Sequence, residues 1–455
     1  MRNILTALFL LLALSSSAQV PVSIHASKED IPSLTRIVSI DAVRDDAILA
    51  YANEVELKLL EDYGYSFTQV ELLDSKAINL TSSVSELREW HTYPTYSCYV
   101  EYMQLMAQQY PTLCKLDTIG YSVNNRLILC LQIHPQDVRD HAPQFFYSST
   151  MHGDEVTGYY FMLRLIDTLL TGYQNNDNIR QLVNSVNIFI NPLSNPDGTY
   201  HGGDNTFSGA QRYNGNDIDL NRNYPDPFGT PAMFPQQKEN TAMIEYISAH
   251  DFKVSANLHG GAEVLNYPWD SFESNERLHP ESEWWIAVSK RFMDTLRQFD
   301  SYHFRDVTRT GYINGGDWYV VTNGRQDYVN YYHNCLEMTM ELSSTKKLSS
   351  DQLDNYWQFQ HRSLINYISE ALAFADTTCQ GINAIPQSMQ LYIYPNPTCD
   401  KVYLDAPHEA GELRNLYGIK IMDIKADSKE INLISLPAGA YLVRLGNKFG
   451  RIIKR

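Results

Sequence analysis

Cysteine is scarce in this 455-residue sequence, with six residues, Cys98, Cys114, Cys130, Cys335, Cys379 and Cys399, set far apart. That thin spacing excludes the close Cys pairs of a thiolate zinc site and the density of a disulfide scaffold. The six read instead as small buried hydrophobes with an occasional bridge. Basic charge is also short: 36 Lys and Arg face 53 Asp and Glu, for a formal net charge of -17 and a pI near 5.2. A surface of that sign repels a phosphate backbone, so no nucleic acid is expected as partner, while basic peptides are compatible with it. The same charge also serves solubility. Long apolar runs are missing too. Ile4 to Leu14 is too short to span a bilayer and no later stretch is long and apolar enough, so no transmembrane segment is expected. That short run follows Met1-Arg2-Asn3 and precedes Ser15-Ser16-Ser17-Ala18, the pattern of a secretory signal. Residues 1–18 are therefore read as a signal peptide, cleaved after Ala18.

What is present suits a globular protein of two or three domains, with 44% hydrophobic and 12% aromatic residues. Residues 19–85 alternate short apolar and charged stretches, include a helix-like Glu54 to Tyr63, and read as a pro-segment or an accessory region. From 86 to 376 the texture changes. Strand-like runs at Leu127 to Ile133, Gln144 to Ser149, Val186 to Asn191, Phe252 to Leu258 and Leu336 to Leu342 interleave with helical patterns at Tyr99 to Tyr110, Val156 to Leu170, Thr241 to His250, Glu281 to Phe299 and Leu353 to Phe374. This alternation predicts an α/β fold with a mixed, largely parallel sheet flanked by helices. Residues 377–390 are polar, contain Gly381 and Pro386, and read as a linker. Residues 391–455 carry short alternating strands separated by turns, which predict a small β-sandwich.

The polar motifs fall at the ends of the strand-like runs. His152-Gly153-Asp154-Glu155 follows one, Asn195-Pro196-Asp197-Gly198 the next, His259-Gly260-Gly261 a third, and Glu341 lies near the end of a fourth. In open α/β sheets the ligand crevice lies outside the carboxyl ends of the strands, which brings these dispersed motifs to one rim. His152 and Glu155, three apart on a tight turn, can share one cation. With His259 they make two imidazoles and a carboxylate, a zinc set that leaves a fourth position open, as a hydrolytic site requires. The loop from Gln211 to Asp226 holds Arg212 and Arg222 among amides, suited to binding a carboxylate and stabilising an oxyanion.

Taken together, His152-Gly153-Asp154-Glu155, Asp219-Leu220-Asn221-Arg222-Asn223-Tyr224-Pro225-Asp226, Asn257-Leu258-His259-Gly260-Gly261, Trp318-Tyr319 with Gly324-Arg325-Gln326-Asp327-Tyr328, and Thr339-Met340-Glu341-Leu342-Ser343 resemble the M14 zinc carboxypeptidases, nearest to the carboxypeptidase N/E-like branch. The resemblance implies one zinc ion per catalytic domain, held by His152, Glu155 and His259, with Glu341 as general base and acid and Arg212 facing the oxyanion. It also implies that Asn221 and Arg222 clamp the terminal carboxylate of a peptide or protein substrate and that Tyr319, rather than Tyr328 or Tyr331, closes over it. Asp270, eleven residues after His259, and Gln326 match the branch's pocket for C-terminal Arg or Lys. Two positions depart from the branch: Asp154 replaces a common Asn, and Arg325 stands where Met is frequent, which bears on the pocket's charge.

The expected activity is therefore hydrolysis of the C-terminal peptide bond by a zinc-activated water. A carboxypeptidase acting on cell-wall peptides and a non-catalytic peptide-binding surface protein on the same fold are the alternatives. In the tail, Tyr394-Pro395-Asn396-Pro397 and Leu436-Pro437-Ala438-Gly439-Ala440-Tyr441 resemble the sorting domains of the type IX secretion system. That likeness implies recognition by outer-membrane secretion machinery and a secreted or cell-surface location.

Overall fold

The computed structural model describes residues 20–27, 30–34, 37–43, 47–70, 78–135 and 142–374, and in the C-terminal part 391, 393–394, 398–404, 408–415, 420–437, 439–446 and 448–454. The signal read at 1–18 and the linker read at 377–390 lie outside the described residues. The chain separates into two compact units, Met1–Ala375 and Asp376–Arg455.

An eight-stranded sheet organises the first unit, in the spatial order Tyr312–Asn314, Ala262–Tyr267, Leu336–Ser343, Phe252–His259, Gln144–Ser149, Asn187–Asn191, Leu127–Ile133, Cys114–Tyr121. Its four inner strands, from Leu336–Ser343 to Asn187–Asn191, pair in parallel, and antiparallel pairings flank them on both sides. Along Gln144–Ser149, Phe145 and Tyr147 enter one core cluster and Phe146 the other. That is the period of two which sends successive side chains to opposite faces.

Helices cover both faces. Thr157–Asn175 buries Tyr159, Met162, Leu163, Ile166, Leu169 and Leu170, the recurrence of three and four that makes one apolar stripe. It shares its core with Tyr96–Gln109, Ser282–Leu296 and Leu353–Ile368. Tyr96–Gln109 begins where Thr95 Oγ1 accepts the Cys98 amide at 3.3 Å and stops before Pro111. Lys238–Ser248 and Arg325–His333 serve the other face.

Strands Cys114–Tyr121, Ala262–Tyr267 and Tyr312–Asn314 and helices Asp177–Ser185 and Arg325–His333 go beyond the sequence expectation. The helix Arg325–His333 had no long apolar stripe to reveal it, because beside Tyr328 and Val329 it buries Arg325, Gln326, Asp327 and Asn330.

Before the central sheet, Ser39–Val43, Ile48–Ala52, Val20–His25 and Ser66–Gln69 form an antiparallel four-stranded sheet in that order. Helix Glu54–Asp62 joins it around Val22, Ile24, Ile48, Ala50, Ala52 and Leu60. Asn53 and Glu56 close this helix with a capping box. The second unit is a sandwich. A three-stranded and a four-stranded sheet contribute Val402, Leu404 and Ile431, and Leu413, Ile424, Val443 and Ile452, to one core.

Arg325, read from the sequence as a change in the pocket's charge, points into the core instead. Its guanidinium lies 2.9 Å from the Glu337 carboxylate, bonds Ser148 Oγ and sits over the Phe146 ring at 5.3 Å. Both charges are fully buried. Each is tolerable only with the other, since an unpaired buried charge is costly. Arg325→Leu should lower unfolding free energy by about 3–5 kcal/mol in chemical denaturation, and Arg325→Leu combined with Glu337→Leu should recover most of the loss. Equal losses in the single and double variants would contradict this pairing.

Candidate metal centre and substrate cleft

The inner parallel strands end together, so the loops that leave them meet. In the register of the sheet, His259 pairs with Glu341. The chain leaves Gln144–Ser149 through Thr150 at φ +61°, an uncommon conformation for a β-branched residue. Asn195 holds the turn there: its backbone amide bonds Thr150 O at 3.1 Å, and its side-chain amide bonds Met151 O and Arg212 O at 3.1 and 3.3 Å. A Cβ on Gly153 would lie 2.3 Å from the Gly198 backbone, so the turn can pass this close only as glycine.

These supports aim three bases at one point. His152 Nδ1 lies 3.0 Å from His259 Nδ1 and 2.9 Å from Glu155 Oε1, and His259 Nδ1 is 2.7 Å from Glu155 Oε2. All three side chains are buried and their donor atoms lie within 4.8 Å of one another. Burial pushes His259 down to about 4, which leaves its imidazole neutral near pH 7. Burial works against charge on Glu155 as well, but the two imidazoles outweigh it and hold its carboxyl well below the usual range. Two imidazoles and one carboxylate fit a divalent zinc ion with one position left open.

Asp219 joins this centre to the next loop. Its Oδ1 lies 3.2 Å from His152 Nε2 and accepts the Asn221 amide at 2.8 Å, while its Oδ2 accepts Arg212 Nε at 2.9 Å. Burial raises the Asp219 carboxyl, yet Arg212 chiefly, with His152 and Arg222, brings it well below the ordinary value. Arg212 Nη1 reaches to 3.0 Å from His152 Nδ1. The Asn221 side-chain oxygen accepts the Arg325 amide at 2.9 Å, and Arg222 Nη1 bonds Asn221 O at 2.9 Å. The importance of Asp219 went unread in the sequence, although its position opening the Asp219-Leu220-Asn221-Arg222 run is a signal for a side-chain cap.

His152, Glu155, His259, Glu341, Arg212, Asn221, Arg222, Tyr319 and Asp270 line one cavity. Of the residues given a site role from the sequence, Gln326 stands behind this wall. Its Nε2 donates to Asp270 Oδ1 at 2.7 Å and Asn266 Oδ1 at 3.1 Å, and its Oε1 accepts the Thr339 amide at 2.6 Å. Asp327 fixes the Asp270 backbone, accepting the Asp270 and Ser271 amides at 2.9 Å each. A Cβ on Gly315 would come within 1.9 Å of Asp270 Oδ1, so glycine leaves that carboxylate its room. Burial, then the nearby Asp327 charge, raises Asp270 well above the usual carboxyl range. Burial likewise lifts Asp327 to about 6.

Asp154, unassigned in the sequence, bonds Lys346 Nζ at 3.2 Å in a buried pair, and Val156 N donates to Lys346 O at 2.9 Å. The turn bearing His152 and Glu155 is thus fastened to the loop that follows Leu336–Ser343. The N-terminal sheet also reaches this region. Ile40 lines the cavity, the Tyr51 ring lies 4.8 Å from Lys346 Nζ, Glu56 accepts the Tyr213 hydroxyl, and Tyr319 packs against the N-terminal core.

Residues 99–363, more than half the chain, match the zinc carboxypeptidase family. The chain belongs to the zinc carboxypeptidase family. Mouse carboxypeptidase D is 32% identical over 281 residues, covering 59% of this chain and 20% of that protein. Mouse carboxypeptidase M is 33% identical over 282 residues, covering 59% of this chain and 63% of that protein. The chain thus spans a fifth of the one relative and under two thirds of the other. A carboxypeptidase A from Helicoverpa armigera shares the zinc carboxypeptidase fold with a TM-score of 0.60 at 15% identity, over 80% of this chain and 99% of that one. Residues 392–455 match the secretion system C-terminal sorting domain. Among the described residues no helix is long and apolar enough to cross a membrane.

Proposed function

We propose that this zinc carboxypeptidase is a secreted enzyme that removes the C-terminal residue of peptides or proteins, with a preference for Arg and Lys. The observation that carries the reading is the single cavity lined by three metal-fitting bases, Glu341, Arg212, Asn221, Arg222 and Asp270.

His152, Glu155 and His259 would hold the zinc, whose chemistry when bound is to polarise the scissile carbonyl and to acidify water. Glu341 takes the proton from the attacking water and returns it to the leaving amine. Arg212 donates to the oxygen on which negative charge develops, and Asp219 keeps its guanidinium turned that way. Arg222, with the Asn221 amide, binds the free carboxylate that only a chain end offers, which selects exopeptidase action. Tyr319 covers the substrate and excludes water. A basic side chain would meet Asp270, which Gln326 orients from behind.

Residues 19–85 fit a pro-segment or accessory region that covers the cleft, a reading supported by Ile40, Tyr51 and Glu56 lying against it. The C-terminal domain would be the address read by outer-membrane secretion machinery, with release or surface display as the outcome.

Glu341→Gln should keep zinc and lower turnover of a peptide ending in Arg by about 10²–10⁴-fold; cleavage at the wild-type rate rules out its role as base. Asp270→Ala should abolish the preference for Arg over Leu at the C-terminus, read as a ratio of kcat/KM values. In the wild type that ratio should shrink as pH falls through about 6, where Asp327 behind Asp270 takes up a proton and the pocket loses negative charge. A ratio constant from pH 5 to 8 argues against the pocket assignment.

A further inference from the structure

We propose that Asn257 is the positioning residue of His259, its side-chain oxygen accepting the His259 Nε2 proton and so presenting Nδ1 to the metal. The proposal rests on the reading of His152, Glu155 and His259 as zinc ligands.

Asn257 stands two residues before His259 on strand Phe252–His259, and it is buried. Its Nδ2 lies 2.8 Å from His259 Nε2, while its Oδ1, buried beside it, has no hydrogen-bond partner among the described residues. The other ring nitrogen, Nδ1, is the one turned toward Glu155 and His152. An imidazole that binds a metal through Nδ1 gives its lone pair there, so its remaining proton sits on Nε2 and must be donated. An amide NH2 cannot receive it. A half-turn of the Asn257 amide exchanges its two polar atoms within the same volume. The orphaned Oδ1 then gains a donor and Nε2–H gains an acceptor, so two unmet needs answer each other without backbone movement.

The two histidines then differ in what stands behind them. His152 Nε2 faces the Asp219 carboxylate, an anion that only accepts. His259 faces a neutral amide, a weaker acceptor that polarises the ring less. Removing that acceptor should leave His259 free to present either nitrogen and lower its worth as a ligand.

Zinc dissociation constants measured on the full chain by chelator competition test this, for the wild type, Asn257→Leu and Asn257→Asp. Asn257→Leu should bind zinc about 10- to 100-fold more weakly, while Asn257→Asp, which retains an acceptor, should bind at least as tightly as the wild type. The zinc-free melting temperature of each variant, followed in parallel, separates ligand orientation from fold stability. Nitrogen-15 NMR of the zinc-loaded wild type should show the His259 proton on Nε2, a result that needs no variant to fold. Wild-type affinity in Asn257→Leu, equal weakening in the Leu and Asp variants, or a proton-free Nε2 on His259 would overturn the proposal. If the wild type binds no zinc that is lost on His152→Ala, the metal site itself is rejected.

Discussion

One half-buried carboxylate carries much of the arrangement of the cleft. Asp219 accepts from Arg212, faces the outer nitrogen of His152 and caps the turn that presents Asn221 and Arg222. A carboxylate withdrawn from water is costly unless its lone pairs are filled and its charge is matched. Arg212 supplies the match, and the backbone amide of Asn221 fills a further lone pair. Because one side chain serves three elements, the three metal-fitting bases, Arg212 and the turn of Asn221 and Arg222 cannot drift independently. The loop that carries them buries few apolar groups, so its shape depends on such bonds. Asn214, itself buried, reaches Gln237 and Glu239 at 3.0 Å each, and Asn240 bonds Leu220 O at 2.9 Å.

Around this carboxylate the cleft is electrically polar, and its polarity suits the ligand proposed for it. Arg222 and Arg212 stand on one side, Asp270 with Asp327 behind it on another. A C-terminal Arg or Lys residue carries a negative α-carboxylate and a positive side chain a few bonds apart, so in the proposed binding mode each charge would meet its opposite. The pairings beneath the site keep other charges out of this field. Arg325 is neutralised by Glu337 in the core, and Asp154 by Lys346 at the edge of the metal turn.

Much of this was legible in the sequence. Two strands of the sheet announced themselves as short runs with their observed bounds, Gln144–Ser149 and Leu127–Ile133, because strands buried on both faces have little choice of residue. His152, Glu155, His259 and Glu341 stood at or just beyond the ends of strand-like runs, where chain direction in a parallel sheet brings them together. Less legible were features fixed by long-range polar contacts. Strand Cys114–Tyr121 lies at the sheet edge with Lys115 and Asp117 in it, and helix Arg325–His333 buries more polar and charged side chains than apolar ones. The direction of Arg325 depended on Glu337, twelve residues away, and the role of Asp154 on Lys346, 192 residues away. No local pattern encodes such partners.

The central claim is that the cleft removes one C-terminal residue at a time with the help of a bound metal. It is tested most directly by incubating the full chain with short peptides that differ only in their last residue, with and without a zinc chelator, and following the products by mass. The account predicts loss of a single C-terminal residue, fastest for Arg and Lys, abolished by the chelator and restored by added zinc. Cleavage within the peptides, or release of the last residue at the same rate with the chelator present, would contradict it.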